Sequence, residues 1–168
     1  MEKLTFSKAC KLLGVYDKKG RDFLRLEYEE ITKDKTWLNI NDWLWGKLQK
    51  MVLETNGAAE IYSMMSQFVS RFEGKSGLQY DRLAIESRLK NDLLMSHSSS
   101  LEWVVNVIGD QKCKHGREMD DLNFPLKGNF NPGELAGKKC EKLRCLCIYS
   151  IIAKRDDKGQ LIIKSSNK

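Results

Sequence analysis

The chain has 168 residues, of which 41% are hydrophobic and 31% charged, and its net charge is +6. This composition is typical of one folded domain and excludes a low-complexity or disordered polymer. No apolar run approaches the roughly 18 residues that a membrane span needs, and the first residues lack the apolar core of a secretory signal. We therefore expect a cytoplasmic or nuclear protein whose five cysteines are reduced.

The charge is unevenly distributed along the chain. Residues 111–168 carry 13 basic and 7 acidic side chains, whereas residues 1–55 have a net charge of +2 and residues 56–110 a net charge of −2. A positive field concentrated in one third of the chain attracts polyanions such as nucleic acid. The alternative is a lysine-rich, solvated surface that serves solubility.

The first part of the chain is predicted to be mainly helical. Thr5 can cap a first helix that Gly14 ends. Residues 23–31 instead alternate apolar and charged side chains, which predicts a half-buried strand, followed by a short strand at residues 36–40. Apolar stripes at helical spacing then predict three helices, over residues 41–55, 58–72 and 78–95.

The region that follows is predicted to change from helix to sheet. The capping-box pattern at Ser99 predicts a fifth helix over residues 101–108. Residues 111–139 are polar and rich in turn formers, whereas residues 143–153 are apolar on both faces, as in a central strand. A turn then leads into a return strand at residues 160–164, which completes a hairpin.

These elements predict an α+β fold, with a helical N-terminal body of about five helices and a small antiparallel sheet built mainly from the C-terminal hairpin. We expect a single domain over residues 1–168. It would consist of a mainly helical part, residues 1–110, and a basic loop with the hairpin, residues 111–168. The early strand at residues 23–31 could join the sheet.

Four of the five cysteines and one of the two histidines lie within 35 residues of one another. Thiolate and imidazole together can hold zinc, so the candidate ligands are Cys113, His115, Cys140 and Cys145, with Cys147 in place of Cys145 as the alternative. Their spacing departs from the Cys-x2–4-Cys knuckles of tetrahedral sites, and thiols in a central strand are usually buried and inert. We therefore predict no cofactor and keep zinc as the alternative.

Ten basic side chains of the last third are the candidate nucleic-acid contacts. They are Lys112, Lys114, Arg117, Lys138, Lys139, Lys142, Arg144, Lys154, Arg155 and Lys158. Phosphate contacts require only positive charge at suitable spacing, so we expect binding with little sequence preference. The chain has neither the aromatic strand motif nor the GXXG loop of common RNA-binding modules.

Two groups of aromatic residues are candidate surfaces for a protein partner. Trp37, Trp43 and Trp45 lie within nine residues, and Phe124 and Phe130 lie in a loop rich in Gly, Asn and Pro. Exposed side chains of this kind bind partners or stack on bases, whereas buried ones anchor the core.

Catalytic interpretations have little support. Gly74-Lys75-Ser76 resembles the end of a phosphate loop, but Val69 occupies the position of its first glycine. Acidic residues near His115 could bind a divalent cation for phosphodiester hydrolysis, but no strand-borne pair of carboxylates accompanies them. We therefore predict no enzymatic activity, with a metal-dependent nuclease as the least favoured alternative.

The leading hypothesis is an intracellular, non-catalytic protein that binds nucleic acid, RNA more than DNA, through its basic C-terminal surface. The rival hypothesis is a regulatory or accessory module that binds a protein partner through exposed aromatic side chains. The sequence leaves the identity of the ligand and the oligomeric state open.

Overall fold

The computed structural model describes residues 1–35, 38–126, 132–135 and 140–164, with the backbone alone at Pro132 and Glu134. The described elements are α1 (Phe6–Leu12), α2 (Lys18–Thr32), α3 (Ile40–Glu54), α4 (Ala59–Phe72), α5 (Leu78–Ser98), β1 (Trp103–Ile108), α6 (Lys114–Met119), β2 (Asn123–Pro125), a 3₁₀ helix (Pro132–Leu135) and β3 (Ile148–Ala153). The predicted α+β class with a helical N-terminal body is confirmed. Within the described residues, no helix combines the length and apolarity needed to cross a membrane.

The first three helices begin at residues whose side chains accept backbone N–H groups. Thr5 caps α1 as predicted, and Gly14, with φ of +72°, follows its end. Asp17 accepts from the N–H of Gly20 at 2.8 Å at the start of α2. Asn39 caps α3 with a capping box and lies two residues before residue 41, where the predicted helix begins.

Residues 23–31 lie within α2, so the prediction of a strand there is wrong. Leu24 and Tyr28, four residues apart, face the core, whereas Leu26 is 66% exposed although alternation would put it on their face. The same apolar residues fit both a period of two and the i, i+4 spacing of a helix. The cap at Asp17 favours the helix, because it satisfies a backbone donor of the first turn.

The prediction of a second strand at residues 36–40 is wrong for residues 38–40, the part that the structure describes. Residue 39 caps α3 and residue 40 is its first helical residue, while residues 36 and 37 lie outside the described residues. The three helices predicted downstream are confirmed as α3, α4 and α5.

The predicted helix over residues 101–108 is also wrong, because Trp103–Ile108 forms β1, the central strand of an antiparallel sheet in the order β2-β1-β3. Val105 lies opposite Phe124 of β2 and Ile151 of β3. β-Branched residues suit a paired strand, and hydrogen bonds to two neighbours outweigh a local capping pattern.

The apolar run at residues 143–153 contributes an edge strand and not a central one. Only Ile148–Ala153 is extended as β3, so Cys145 and Cys147 precede the strand instead of lying in it. The predicted turn and return are present, with Gly159 at φ of +77°. The return is held by isolated bridges, from Arg155 to Leu161 and from Leu101 to Ile163.

Buried apolar side chains form two clusters. The helical cluster comes from α1 to α4 and the residues beside them, and its buried members are Leu4, Ala9, Cys10, Leu12, Leu13, Leu24, Trp43, Leu44, Leu48, Ile61, Met65, Phe68, Val69 and Phe72. The sheet cluster lies between α5 and one face of the sheet, and its buried members are Ile85, Leu89, Val105, Val107, Met119, Cys145 and Tyr149.

Two glycines bring α6 against the end of β1. A Cβ atom at Gly109 would lie 1.8 Å from the carbonyl oxygen of Gly116, and one at Gly116 would lie 2.2 Å from the carbonyl oxygen of Asp110. Any other residue at either position would therefore force the two backbone segments apart. This contact fixes where Cys113, the residue that precedes α6, lies relative to the sheet.

Candidate functional site: a cysteine pair and its cationic surroundings

Cys113 and Cys140 are brought together although 26 residues separate them. Their Sγ atoms lie 3.8 Å apart, and both thiols are free. Cys113 is buried immediately before α6, and Cys140 is half-buried with its thiol 3.4 Å from the carbonyl oxygen of Arg144, to which it can donate. The clustering seen in the sequence therefore corresponds to a real contact for these two cysteines.

The two thiols have different acidities. Backbone N–H groups, foremost that of Gly116, lower the pKa of Cys113 below its usual range. Burial raises the pKa of Cys140 to about 11. Donors directed at a sulfur favour its charged form, whereas loss of water disfavours it. The pKa of Cys113 is therefore lower than that of an ordinary cysteine, and the pKa of Cys140 is higher.

An ion pair lies beside the cysteines. The Lys142 ammonium is 2.6 Å from the Asp110 carboxylate, and the N–H of Asp110 donates to Sγ of Cys147 at 3.4 Å. The bond from Lys142 lowers the pKa of Asp110, and the carboxylate in turn raises the pKa of Lys142. This lysine, predicted to contact nucleic acid, is therefore already neutralised by a carboxylate.

The predicted zinc ligands do not converge on one point. Among the described residues, no group of three or more His, Cys, Asp or Glu side chains is arranged to hold a metal ion. Cys113 and Cys140 would supply two of the four ligands of a tetrahedral site. His115 has a buried Nε2 with no described hydrogen-bond partner, and its Nδ1 lies 4.0 Å from Glu118. Cys145 instead contacts the hydroxyl of Tyr149 at 3.6 Å.

The acidic residues near His115 make structural contacts. Asp110 pairs with Lys142, and Asp120 accepts from the N–H of Gly109 at 2.8 Å. These contacts fix the turn between β1 and α6. Asp110 and Asp120, which the sequence analysis considered as cation ligands of a nuclease, therefore already bind other groups of the protein.

Arg144 was a candidate phosphate contact, but its guanidinium lies between α4 and α5. Its Nε donates to Ser66 at 2.9 Å, and its Nη2 lies 3.3 Å from a carboxylate oxygen of Asp81. The second oxygen of Asp81 accepts the N–H of Cys145 at 2.7 Å. Ser66 and Asp81 are buried, so Arg144 joins the C-terminal segment to the helices and is not available to a phosphate.

Five of the candidate cations are exposed, and in the described part of the chain none of the five has a carboxylate oxygen within 4.0 Å. They are Lys112, Lys114, Arg117, Arg155 and Lys158. Lys154 pairs with Glu102 at 3.0 Å. Lys138 and Lys139 lie outside the described residues.

These five cations without a carboxylate partner form two groups at opposite ends of the sheet, and Arg117 and Arg155 each donate to a backbone carbonyl oxygen. Lys112, Lys114 and Arg117 follow the C-terminal end of β1, whereas Arg155 and Lys158 follow the C-terminal end of β3. The two strands are antiparallel and paired over six residues, a length of roughly 20 Å. The basic side chains that have no carboxylate partner among the described residues therefore lie in two groups, one at each end of the sheet.

The aromatic residues that could have bound a partner are mostly part of the core. Trp43 is 3% exposed and packs against Phe6, with ring centroids 5.9 Å apart. Trp45 is half-buried and stacked on Phe68. Phe124 is half-buried against the sheet cluster. Trp37 and Phe130 lie outside the described residues.

An exposed apolar face of the sheet was not anticipated from the sequence. Ile108, Ile148 and Ile152 are 53%, 51% and 42% exposed, and the strand register places them on the face opposite the sheet cluster. We call this the open face. The sequence carries no clear signal for it, because β3 is apolar on both faces and the interpretation of residues 101–108 as helix concealed the partner strand.

No protein-family model matches the chain, and neither a curated protein nor a solved structure shows significant similarity to it.

Proposed function

We propose that the chain binds nucleic acid without catalysing a reaction, RNA in preference to DNA, and that the cations at both ends of the sheet contact phosphates. The observation that carries this proposal is the set of five exposed basic side chains without a carboxylate partner in the described residues. They are Lys112, Lys114, Arg117, Arg155 and Lys158.

Unpaired cations are the appropriate contacts, because binding gains entropy when a phosphate exchanges its condensed counterion for a protein charge. A lysine that already holds a carboxylate, such as Lys142 or Lys154, would have to break that pair first. The two groups follow opposite ends of strands that are paired over roughly 20 Å, and the open face offers nucleic acid a path between them because the sheet cluster covers the other face.

Polar side chains on the open face support the preference for RNA. Asn106 donates to the side-chain oxygen of Asn123 at 3.3 Å, and Ser150 lies opposite Asn106 in the adjacent strand. Amide and hydroxyl groups can both donate to and accept from a ribose 2′-hydroxyl, the group that distinguishes RNA from DNA.

Salt titration tests the electrostatic part of the proposal. Labelled single-stranded RNA and DNA of one sequence would be titrated by fluorescence anisotropy between 50 and 300 mM salt. If about five phosphates are contacted, the log of the affinity should fall with the log of the salt concentration at a slope of about −3 to −4. A flat salt dependence would contradict the proposal.

A charge-reversal pair locates the contact. The double substitution Arg155→Glu with Lys158→Glu should weaken RNA binding at least tenfold and make the salt slope shallower, because two phosphate contacts are lost. The matched control, Lys18→Glu with Lys19→Glu, changes the net charge equally at exposed positions of α2. Equal losses in both variants would show that only net charge matters, against a site on the sheet.

The second candidate function is binding of a protein partner, favoured by the three exposed isoleucines of the open face, Ile108, Ile148 and Ile152. Ile148→Asn separates the two candidates, because it removes apolar surface without changing charge. We expect RNA affinity to change less than twofold in this variant. If it abolishes binding to a protein that copurifies with the native chain while RNA binding is absent, the second candidate is the correct one.

A further inference from the structure

The Sγ atoms of Cys113 and Cys140 are in contact, whereas the other two thiols of the region interact with each other and with groups outside the pair. Cys145 contacts the Tyr149 hydroxyl, and Cys147 accepts the N–H of Asp110. The 3.8 Å between the sulfurs of Cys113 and Cys140 must shorten to about 2.05 Å for a covalent bond, a movement of less than 2 Å. Cys140 is half-buried, whereas Cys113 is 4% exposed, so the oxidant has to be small to reach the Cys113 sulfur.

We propose that Cys113 and Cys140 form a redox-active dithiol that a hydroperoxide, hydrogen peroxide being the simplest, oxidises reversibly to an intramolecular disulfide. The site consists of two thiols held at contact distance by α6 and by the segment at residue 140. This inference is independent of nucleic-acid binding.

The chemistry proceeds in two displacements. The Cys113 thiolate attacks one oxygen of the peroxide, the O–O bond breaks, and the departing hydroxide takes a proton to leave as water. The sulfenic acid formed on Cys113 is then attacked by the Cys140 sulfur as it gives up its proton, and the S–O bond breaks to release a second water. The two thiols together lose two electrons and two protons, which reduce one peroxide to two waters.

The surroundings suit these roles. The backbone donors around Cys113 favour the thiolate that attacks first, and the higher pKa of Cys140 keeps it protonated until the sulfenic acid forms. The disulfide would close a loop that contains α6, and with it Lys114 and Arg117. Oxidation would therefore fix one of the two cationic groups relative to residue 140.

Thiol counting tests the proposal directly. The purified full chain, freed of reductant, would be treated with a few equivalents of hydrogen peroxide, then unfolded and titrated with a chromogenic disulfide reagent. The count should fall from five to three, with loss of two hydrogen atoms in the intact mass and a mapped bond between Cys113 and Cys140. Dithiothreitol should restore five thiols.

Single substitutions provide the controls. Cys113→Ser and Cys140→Ser should each form no intramolecular disulfide, whereas Cys147→Ser, at the neighbouring thiol, should still lose two thiols. Circular dichroism would check that each variant folds. If a variant does not fold, the disulfide mapped in the unsubstituted chain still tests the proposal. A bond between any other pair, an unchanged count of five, or a bound zinc ion that protects the thiols until a chelator is added would overturn the proposal.

Discussion

The helical cluster and the sheet cluster are held together in different ways. The helical cluster is built from neighbouring helices within residues 4–72 and contains stacked and tilted aromatic rings. The buried members of the sheet cluster lie within residues 85–149, and two valines of the central strand pack there against a helix, a methionine, a thiol and a phenol. The helical cluster is therefore specified by apolar residues at helical spacing within each helix. The sheet cluster is specified by pairing between strands that are distant in the sequence.

A polar connection joins the two regions. Arg144 and Cys145, in the segment before β3, bond to α4 and α5 through Ser66 and Asp81. The N–H of Gly77 also donates to the carbonyl oxygen of Leu143 at 2.7 Å. The helical body and the sheet therefore share buried hydrogen bonds as well as apolar contacts, and substitutions can test how far the two regions depend on each other.

The largest expected effect is in the helical cluster. Phe68 is fully buried and contacts the rings of Trp45 and Phe72. Phe68→Ala should lower the free energy of unfolding by about 3–5 kcal/mol, through lost transfer energy and the cavity left behind. Urea unfolding followed by tryptophan fluorescence measures this. Leu53→Ala, at a side chain 86% exposed, is the control and should change stability by less than about 0.5 kcal/mol.

The connection between the regions should be the next most sensitive. Asp81→Ala leaves the Arg144 guanidinium and the N–H of Cys145 without their acceptor, which should cost about 3 kcal/mol, the low end for a broken buried pair. The low end applies because Arg144 keeps its bonds to Ser63 and Ser66.

The control for Asp81 is the exposed pair of Lys154 and Glu102. Lys154→Ala should change stability by only about 0.2–1 kcal/mol, because an exposed ion pair is screened by water and salt. Equal effects of the two substitutions in urea unfolding would refute a buried connection between the regions.

Alkaline pH should weaken the sheet region in particular. Burial raises the pKa of Cys140 to about 11 and also raises the pKa of Cys147 and of Tyr149. A thiol ionises near pH 8.5 in the unfolded chain, so its raised pKa favours the folded state fully below that pH. This contribution is lost as pH rises toward 11.

The urea midpoint in the presence of reductant should therefore fall between about pH 8.5 and pH 11, and less steeply in Cys140→Ser. The lowered pKa of Cys113 acts in the opposite direction and reduces the slope. A midpoint that rises over this range would contradict the assignment of buried, protonated thiols.

The smallest effect concerns the ion pair beside the cysteines. In Lys142→Met the pKa of Asp110 should rise toward its ordinary value, because the bond from Lys142 is the largest cause of its lowering. With the pair intact, the stability that Asp110 contributes is present above about pH 3.9 and lost as pH falls further. Carboxyl carbon chemical shifts followed through an acid titration would measure this, and an unchanged midpoint would count against the contact.

The helices were the most predictable part of the fold. Spacing alone predicts the helical stripe that includes Ile61, Met65, Phe68 and Phe72, and these residues are buried as expected. The predictions at residues 23–31 and 101–108 were wrong in opposite directions. In each the apolar residues fit both periods, and the choice was made by a cap in one case and by strand partners in the other.

The candidate site was predictable as a set of residue types but not as an arrangement. Cysteine clustering in the sequence indicated a special region, yet only the fold shows that Cys113 and Cys140 are in contact. Counting basic residues likewise could not reveal that Arg144 and Lys142 are already held by carboxylates. Long-range partners of this kind leave no local pattern in a single sequence.

The close backbone approach at Gly109 and Gly116 has a consequence for the chemistry proposed for the two cysteines. Two positions that carry only hydrogen let α6 settle onto the strand end. A methyl group at either would tilt that short helix outward and take Cys113 away from Cys140. Substitution of either glycine could thereby prevent disulfide formation although it alters neither cysteine. The proposed reaction therefore requires glycine at both positions as much as it requires the two cysteines.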